Sequence, residues 1–120
     1  AGMEFTHSEP LIVLRYAPGE SFSPHRDYIV PSALAMRQPE AGNRIATVCA
    51  YLNDVEAGGA TRFPANGTTI PPRAGAAIAF RNLGPGGQPD PDSLHAGLPV
   101  ERGEKWLATL WLRQRRWRAF

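Results

Sequence analysis

The chain has 120 residues, a formal charge of +2, 42% hydrophobic and 20% charged residues, proportions that suit one globular domain spanning 1–120 with a real but modest core. The single cysteine, Cys49, excludes an internal disulfide and fits a reducing compartment; it lies in an apolar run, which suits a buried, inert thiol. No apolar run approaches the roughly 20 residues that a membrane-crossing helix needs, and no signal peptide is visible.

The chain opens on Ala1-Gly2-Met3, just ahead of its first strand, as a piece trimmed from a longer protein would. The default expectation is a cytoplasmic protein; such trimming would also have removed any targeting segment. Residues 11–17 form a β-type run with Ile12, Leu14 and Tyr16 on one face, and Pro18-Gly19 turns the chain. A strand carrying His25 and Asp27 follows. Residues 31–43 read as a long surface loop with a weak helical patch at 33–36, and 29–43 as a candidate wall of a substrate groove. The clearest strand is 45–52, with Ile45, Thr47, Cys49 and Tyr51 sharing a face. Asn66-Gly67 predicts a hairpin into strand 68–70, and 76–80 reads as a further strand. A Gly/Pro-rich loop at 84–91 is a second candidate groove wall. Segments 94–100 and 105–112 look like a strand pair joined across 101–103.

Twelve Gly and twelve Pro punctuate these runs, and no helical period is sustained, so the fold class is all-β: an antiparallel sandwich or jelly roll. The arginines at 113, 115, 116 and 118 form a basic tail, which reads as a solvated face rather than a nucleic-acid contact.

Candidate chemistry concentrates at His25, Asp27 and His95. On an extended strand, residues two apart point to one face. An imidazole and a carboxylate so placed, joined by a second imidazole, make a 2-His-1-carboxylate facial triad, a set that suits Fe(II) and leaves coordination positions open. His-x-Asp with a later His also arises by chance, and His7 reads as a surface residue. Lys105, the only lysine, shares a strand face with Leu107, Thr109 and Trp111. Facing inward, its ammonium needs an anion or carries a large desolvation cost. A dicarboxylate that chelates the metal with its other end would answer that need. Snorkelling to the strand end answers it equally well. Thr47 and Tyr51 can offer hydroxyls to the same anion, Tyr16 leads into the His25 turn, and Trp111 can wall a pocket as well as fill a core.

Read as one ordered set, these blocks resemble the prolyl 4-hydroxylase type of Fe(II)- and 2-oxoglutarate-dependent dioxygenase. The matching pieces are Arg15-Tyr16 with Pro18-Gly19, Pro24-His25-Arg26-Asp27-Tyr28, Arg44-Ile45-Ala46-Thr47 and Tyr51-Leu52-Asn53-Asp54-Val55. They continue with Gly58-Gly59-Ala60-Thr61-Arg62-Phe63-Pro64, Ser93-Leu94-His95-Ala96-Gly97, Pro99-Val100, Gly103-Glu104-Lys105-Trp106 and Trp111. The resemblance implies a double-stranded β-helix with iron held by His25, Asp27 and His95. It implies that Lys105 binds the far carboxylate of 2-oxoglutarate, with Thr47, Tyr51 and Thr109 as hydrogen-bonding helpers and Tyr16 beside the cosubstrate. O2 is the oxidant, and ascorbate an accessory reductant. The implied reaction couples conversion of 2-oxoglutarate to succinate and CO2 with hydroxylation of an unactivated C–H bond. The implied substrate is a prolyl residue of a peptide or protein.

A free amino acid or other small molecule is the alternative substrate, and a non-catalytic metal-binding jelly roll the alternative from another class. Nucleic-acid demethylation shares the triad chemistry but not the surrounding blocks. The helices that family members carry ahead of the first strand are largely missing from this sequence. That implies an exposed apolar sheet face open to self-association.

Overall fold

The computed structural model describes residues 5–117. Ten strands run in chain order: β1 (Ile12–Tyr16), β2 (Phe22–His25), β3 (Arg44–Tyr51), β4 (Ala57–Gly58), β5 (Thr61–Phe63), β6 (Thr68–Ile70), β7 (Ala77–Arg81), β8 (His95–Gly97), β9 (Val100–Arg102) and β10 (Lys105–Arg113). Every pairing is antiparallel. The major sheet has the order β1-β10-β3-β7 and the minor sheet β2-β8-β5-β6, with β4-β9 as a short third pair. This is the expected jelly roll. None of the helices among the described residues is long and apolar enough to cross a membrane.

Alternation along the strands decides what meets between the sheets. Register places Tyr16 opposite Lys105, Leu107 opposite Tyr51, Thr109 opposite Cys49, and Trp111 opposite Thr47. Of these, Tyr16, Tyr51 and Leu107 pack with Ile78 and Val100 into the core, with Cys49 against it. Full burial of such aliphatic side chains contributes roughly 1.5–3 kcal/mol each. The opposite face of the major sheet exposes Val13, Leu52 and Trp106, with Leu11 beside them, so the anticipated exposed apolar face is present.

Three local expectations change. Segment 94–100 does not pair with 105–112: β8 lies between β2 and β5 in the minor sheet, while β10 lies between β1 and β3 in the major one. Strand β8 ends at Gly97, and after Leu98-Pro99 β9 pairs with β4 instead. There Gly58 approaches so closely that a β carbon would sit 2.3 Å from the Pro99 carbonyl oxygen. The second change concerns Asp27, which lies beyond the end of β2 rather than on it. The chain leaves the sheet after His25, and Asn43 clasps it through paired bonds to the Ile29 N–H and carbonyl. Thirdly, the 29–43 loop is more ordered than expected, holding one helical turn, α1 (Pro31–Leu34), and a 3-10 turn, Pro39–Ala41.

The basic tail is also partly committed. Arg113 is 1% exposed and donates to the carbonyls of Arg37, Gln38 and Gly42, while Arg115 donates to those of Pro39 and Glu40. Arg115 and Arg116 are exposed and fit the solvated reading, whereas Arg113 does not; Arg118 lies outside the described residues.

Candidate metal and cosubstrate site

His25 and His95 face each other across the β2–β8 pair. Each ring is oriented by the same local device, the backbone carbonyl two residues earlier. Nδ1 of His25 lies 2.7 Å from the Ser23 oxygen, and Nδ1 of His95 lies 2.8 Å from the Ser93 oxygen. A carbonyl oxygen can only accept, so each Nδ1 carries a proton, and in the neutral imidazole each Nε2 offers its lone pair. Both Nε2 atoms face Asp27 Oδ1, at 3.3 Å from His25 and 3.6 Å from His95. Three ligand atoms within 4.8 Å of one another thus converge with lone pairs toward one point, an arrangement that calls for a shared cation. The donor set fits a facial triad for Fe(II), and His7 is no part of it.

A buried chain of hydrogen bonds fixes the carboxylate. Thr47 Oγ1 donates to Asp27 Oδ2 at 2.7 Å, and Asn82 Nδ2 donates to Thr47 Oγ1 at 2.8 Å. Burial raises the Asp27 carboxyl, but the bonds from His25 and Thr47 and the charge of the imidazoles outweigh it and hold the group below its ordinary range. Burial likewise lowers His25, yet its bond to Asp27 and its contact with Ser23 leave it raised; His95, more deeply enclosed, stays lowered by burial. Phe22 stacks on His25 at 3.8 Å, and Phe80 packs on His95 at 4.7 Å, which keeps the ligand rings from rotating.

A cavity of about 380 Å³ runs past this cluster. Lys105 lines it and is 2% exposed. Its Nζ lies 4.9 Å from the Tyr16 ring centre and 5.7 Å from that of Tyr51, with no carboxylate paired to it among the described residues. Burial pulls the ammonium down from its ordinary value. The snorkelling alternative is therefore excluded: this is an enclosed cation facing a cavity, and an anion of matching length answers it. Gly97 lies beside that end, where a β carbon would press on Phe22 Cβ at 3.3 Å and touch Nζ at 3.6 Å.

The other expected helpers divide. Tyr16 and Thr109 line the cavity, as does Trp111. The Thr47 hydroxyl is engaged by Asp27, and the Tyr51 hydroxyl by Thr61 and the Ile70 carbonyl. Cys49 lines the cavity with its thiol raised by burial, as expected of an inert thiol. Arg37 from the 29–43 loop reaches the cavity; the 84–91 loop contributes nothing to its lining.

Sequence reasoning missed Asn82, Thr61 and the two seryl carbonyls. Parity offered a signal for the first, because Ile78, Phe80 and Asn82 alternate onto one face. The repeated Ser-x-His spacing offered one for the carbonyls.

Comparison with known proteins agrees with this geometry. Residues 11–113 match the family model of the 2OG-Fe(II) oxygenase superfamily. "Probable prolyl 4-hydroxylase 3" of Arabidopsis thaliana is 38% identical over 88% of this chain, which spans 42% of that protein. The prolyl 4-hydroxylase subunit alpha-1 of Gallus gallus is 39% identical over 95% of this chain, which spans 22% of it. In three dimensions, the viral collagen prolyl hydroxylase of Paramecium Bursaria Chlorella virus-1, solved with 2OG, superposes with a TM-score of 0.76 at 35% identity, covering 88% of this chain and 59% of that one. A chain with this jelly roll, this ligand cluster and this enclosed lysine belongs to the 2OG-Fe(II) oxygenase superfamily.

Proposed function

We propose that this chain hydroxylates a prolyl residue in a peptide or protein, with Fe(II), 2-oxoglutarate and O2 as reactants. One atom of O2 enters the C–H bond of the substrate and the other enters succinate, while the 1-carboxylate of 2-oxoglutarate leaves as CO2. The observation that carries this reading is the pairing of the His25–Asp27–His95 cluster with the enclosed, unpaired Lys105 in one cavity. Relatives of this sequence named as prolyl 4-hydroxylases support the substrate class.

Each residue then has a physical task. Bound iron supplies the redox chemistry that activates O2 and attacks the C–H bond. His25, Asp27 and His95 would hold that metal, with Nε2, Oδ1 and Nε2 as the facing candidate ligand atoms. Thr47 holds Asp27 by Oδ2, so one carboxylate oxygen is presented. Lys105 pairs with the 5-carboxylate of 2-oxoglutarate, and Tyr16 and Thr109 flank the carbon chain. That charge pair fixes the direction in which the keto acid enters, putting its 2-oxo end at the metal. Trp111 walls the cavity beneath Arg44.

Incubation of the iron-loaded protein with 2-oxoglutarate and prolyl peptides should yield succinate and a peptide heavier by one oxygen atom, in equal amounts. Succinate without peptide oxidation, across peptides that do bind, would overturn the substrate assignment.

A further inference from the structure

Cys49 has no task in prolyl hydroxylation, although its thiol stands in the middle of the pocket. Along the inward face of β3, Thr47 holds Asp27 at 2.7 Å, and the Tyr51 ring centre lies 5.7 Å from Lys105 Nζ. Cys49 is the inward residue between these two, so it flanks the path from the ligand cluster to the ammonium. Its Sγ lies 3.7 Å from Thr109 Oγ1 across the β3–β10 pair, and both side chains line the cavity. Charge at either end of the path reaches the thiol: Lys105 favours the thiolate and Asp27 opposes it. Burial is the largest influence and raises the thiol above its ordinary value, so a neutral reagent arriving from solvent meets a poor nucleophile. Lys105 changes that for an anion. It is 2% exposed and has no carboxylate partner among the described residues, so it draws an anionic ligand in and holds it beside Sγ. A reactant held in place beside a nucleophile reacts as if at very high concentration.

Resting on the reading of this cavity as the 2-oxoglutarate pocket, we propose that Cys49 is a covalent modification site for electrophilic dicarboxylates, keto acids of the cosubstrate's length with a carbon–carbon double bond in the chain. Lys105 seats the far carboxylate, and the double bond comes to rest beside Sγ. Sulfur attacks the alkene carbon β to the ketone, and the π pair moves to the carbon between them. That carbon takes a proton from water while the thiol proton passes to water. The net change is addition of S–H across C=C, with no oxidant and no leaving group. The adduct fills the pocket, so 2-oxoglutarate no longer binds.

The test uses 4-oxopent-2-enedioate, which is 2-oxoglutarate with a double bond between C3 and C4, and needs no turnover. Intact mass and peptide mapping follow adduct formation on the Mn(II)-loaded protein and on the same chain unfolded in urea, with N-ethylmaleimide as the neutral comparison. Cys49 is the only cysteine, so both reagents report on one thiol. Folding should slow the maleimide and speed the dianion, making the folded-to-unfolded rate ratio higher for the dianion by at least about ten-fold. Excess 2-oxoglutarate should suppress the adduct, Lys105→Met should remove the dianion's advantage, and Cys49→Ala should take no adduct. No adduct on the folded protein, an adduct on another residue, or a rate ratio unchanged by Lys105→Met overturns the proposal. Calorimetric titration of the unmodified Mn(II)-loaded protein with 2-oxoglutarate separates the two readings. Binding of 2-oxoglutarate that leaves Cys49 unlabelled, or labelled at an undiminished rate, overturns the modification site alone. Failure of 2-oxoglutarate to bind overturns the pocket assignment, and a Lys105-dependent adduct would then still establish Cys49 as the site.

Discussion

Thr47 Oγ1 donates to Asp27 Oδ2 across 2.7 Å, and this bond leaves Oδ1 as the oxygen that faces both imidazoles. A hydroxyl has one proton to give. Because Asn82 Nδ2 donates to the same Oγ1, that proton is directed to the carboxylate. Thr47 is 0% exposed, so no water replaces it.

Thr47→Val should therefore weaken Mn(II) binding by about 10–100-fold, the usual effect of losing a partner behind a metal ligand. It also strands the Asn82 amide, so some stability is lost. Thr47→Ser, which keeps the hydroxyl, should retain most of the affinity. Unchanged Mn(II) titration of the valine variant would show that the carboxylate is oriented by something else.

Lys105→Met should move stability and cosubstrate affinity in opposite directions. Without ligand, the enclosed ammonium is a cost, as its lowered proton affinity indicates. Replacing it with an apolar chain of similar length should raise the melting temperature of the ligand-free protein by roughly 4 °C or more. The same change removes the partner of the 5-carboxylate, at about 2–5 kcal/mol, or more than roughly 30-fold in 2-oxoglutarate affinity. Calorimetry with and without 2-oxoglutarate separates the two effects. A variant that loses stability and keeps affinity would assign Lys105 a purely structural role.

The fold and the ligand set could be read from the chain because both rest on alternation and on residue type. Period-two patterning placed Lys105, Leu107, Thr109 and Trp111 on one face, and the register agrees. The same rule reached Asp27 for the wrong reason: β2 stops at His25, and tertiary bonds from Asn43 bring the carboxylate round. Spacing also could not tell which hydroxyl meets which partner. Thr47 and Tyr51 share a strand face with Cys49, yet one ends on Asp27 and the other on Thr61, because the elements above them differ. Arg113 shows the same limit, since its acceptors are carbonyls on a loop some 70 residues earlier that carry no sequence signature.

Metal affinity should rise with pH through the region just above 6.5. In the metal-free protein the His25 imidazole is raised above its ordinary value of 6.5, so below that raised value it carries a proton that the metal must displace. His95, lowered by burial, is already neutral there, and Asp27 is already ionised. One proton should therefore be released per Mn(II) bound on the acid side of the His25 transition, giving about ten-fold in affinity per pH unit, and none well above it. Linkage in the metal-free state has the matching sign. The stability that His25 gains from Asp27 is fully present below 6.5 and is lost as pH rises through the raised value. Proton release measured by titration calorimetry in buffers of different ionisation enthalpy checks the count. Release that stays constant from pH 6 to 8 would assign the competition to another group.

Arg113 should behave as a core residue although it stands in a run of surface-like arginines. Its Nε donates to the Gly42 carbonyl at 2.7 Å, Nη2 to the Gln38 carbonyl at 2.8 Å, and Nη1 pairs with Glu9 at 3.4 Å. These bonds tie β10 to the loop that carries Arg37, including Gln38 at its positive φ of 50°. Arg113→Met takes a donor away from each of the Arg37, Gln38 and Gly42 carbonyls and leaves Glu9 with Arg44 alone, so a loss of about 3–5 kcal/mol is expected in urea unfolding. Arg113→Lys keeps the charge but reaches fewer of these acceptors, and should fall between that variant and the parent. Amide exchange around residues 37–42 should accelerate in both variants before the protein unfolds as a whole, since the loop loses its anchor first. Arg116→Met, a change in the same run at an exposed position, should stay within about 0.5 kcal/mol of the parent. Equal, small losses at both positions would mean that the loop is held by Asn43 and Gln114 instead.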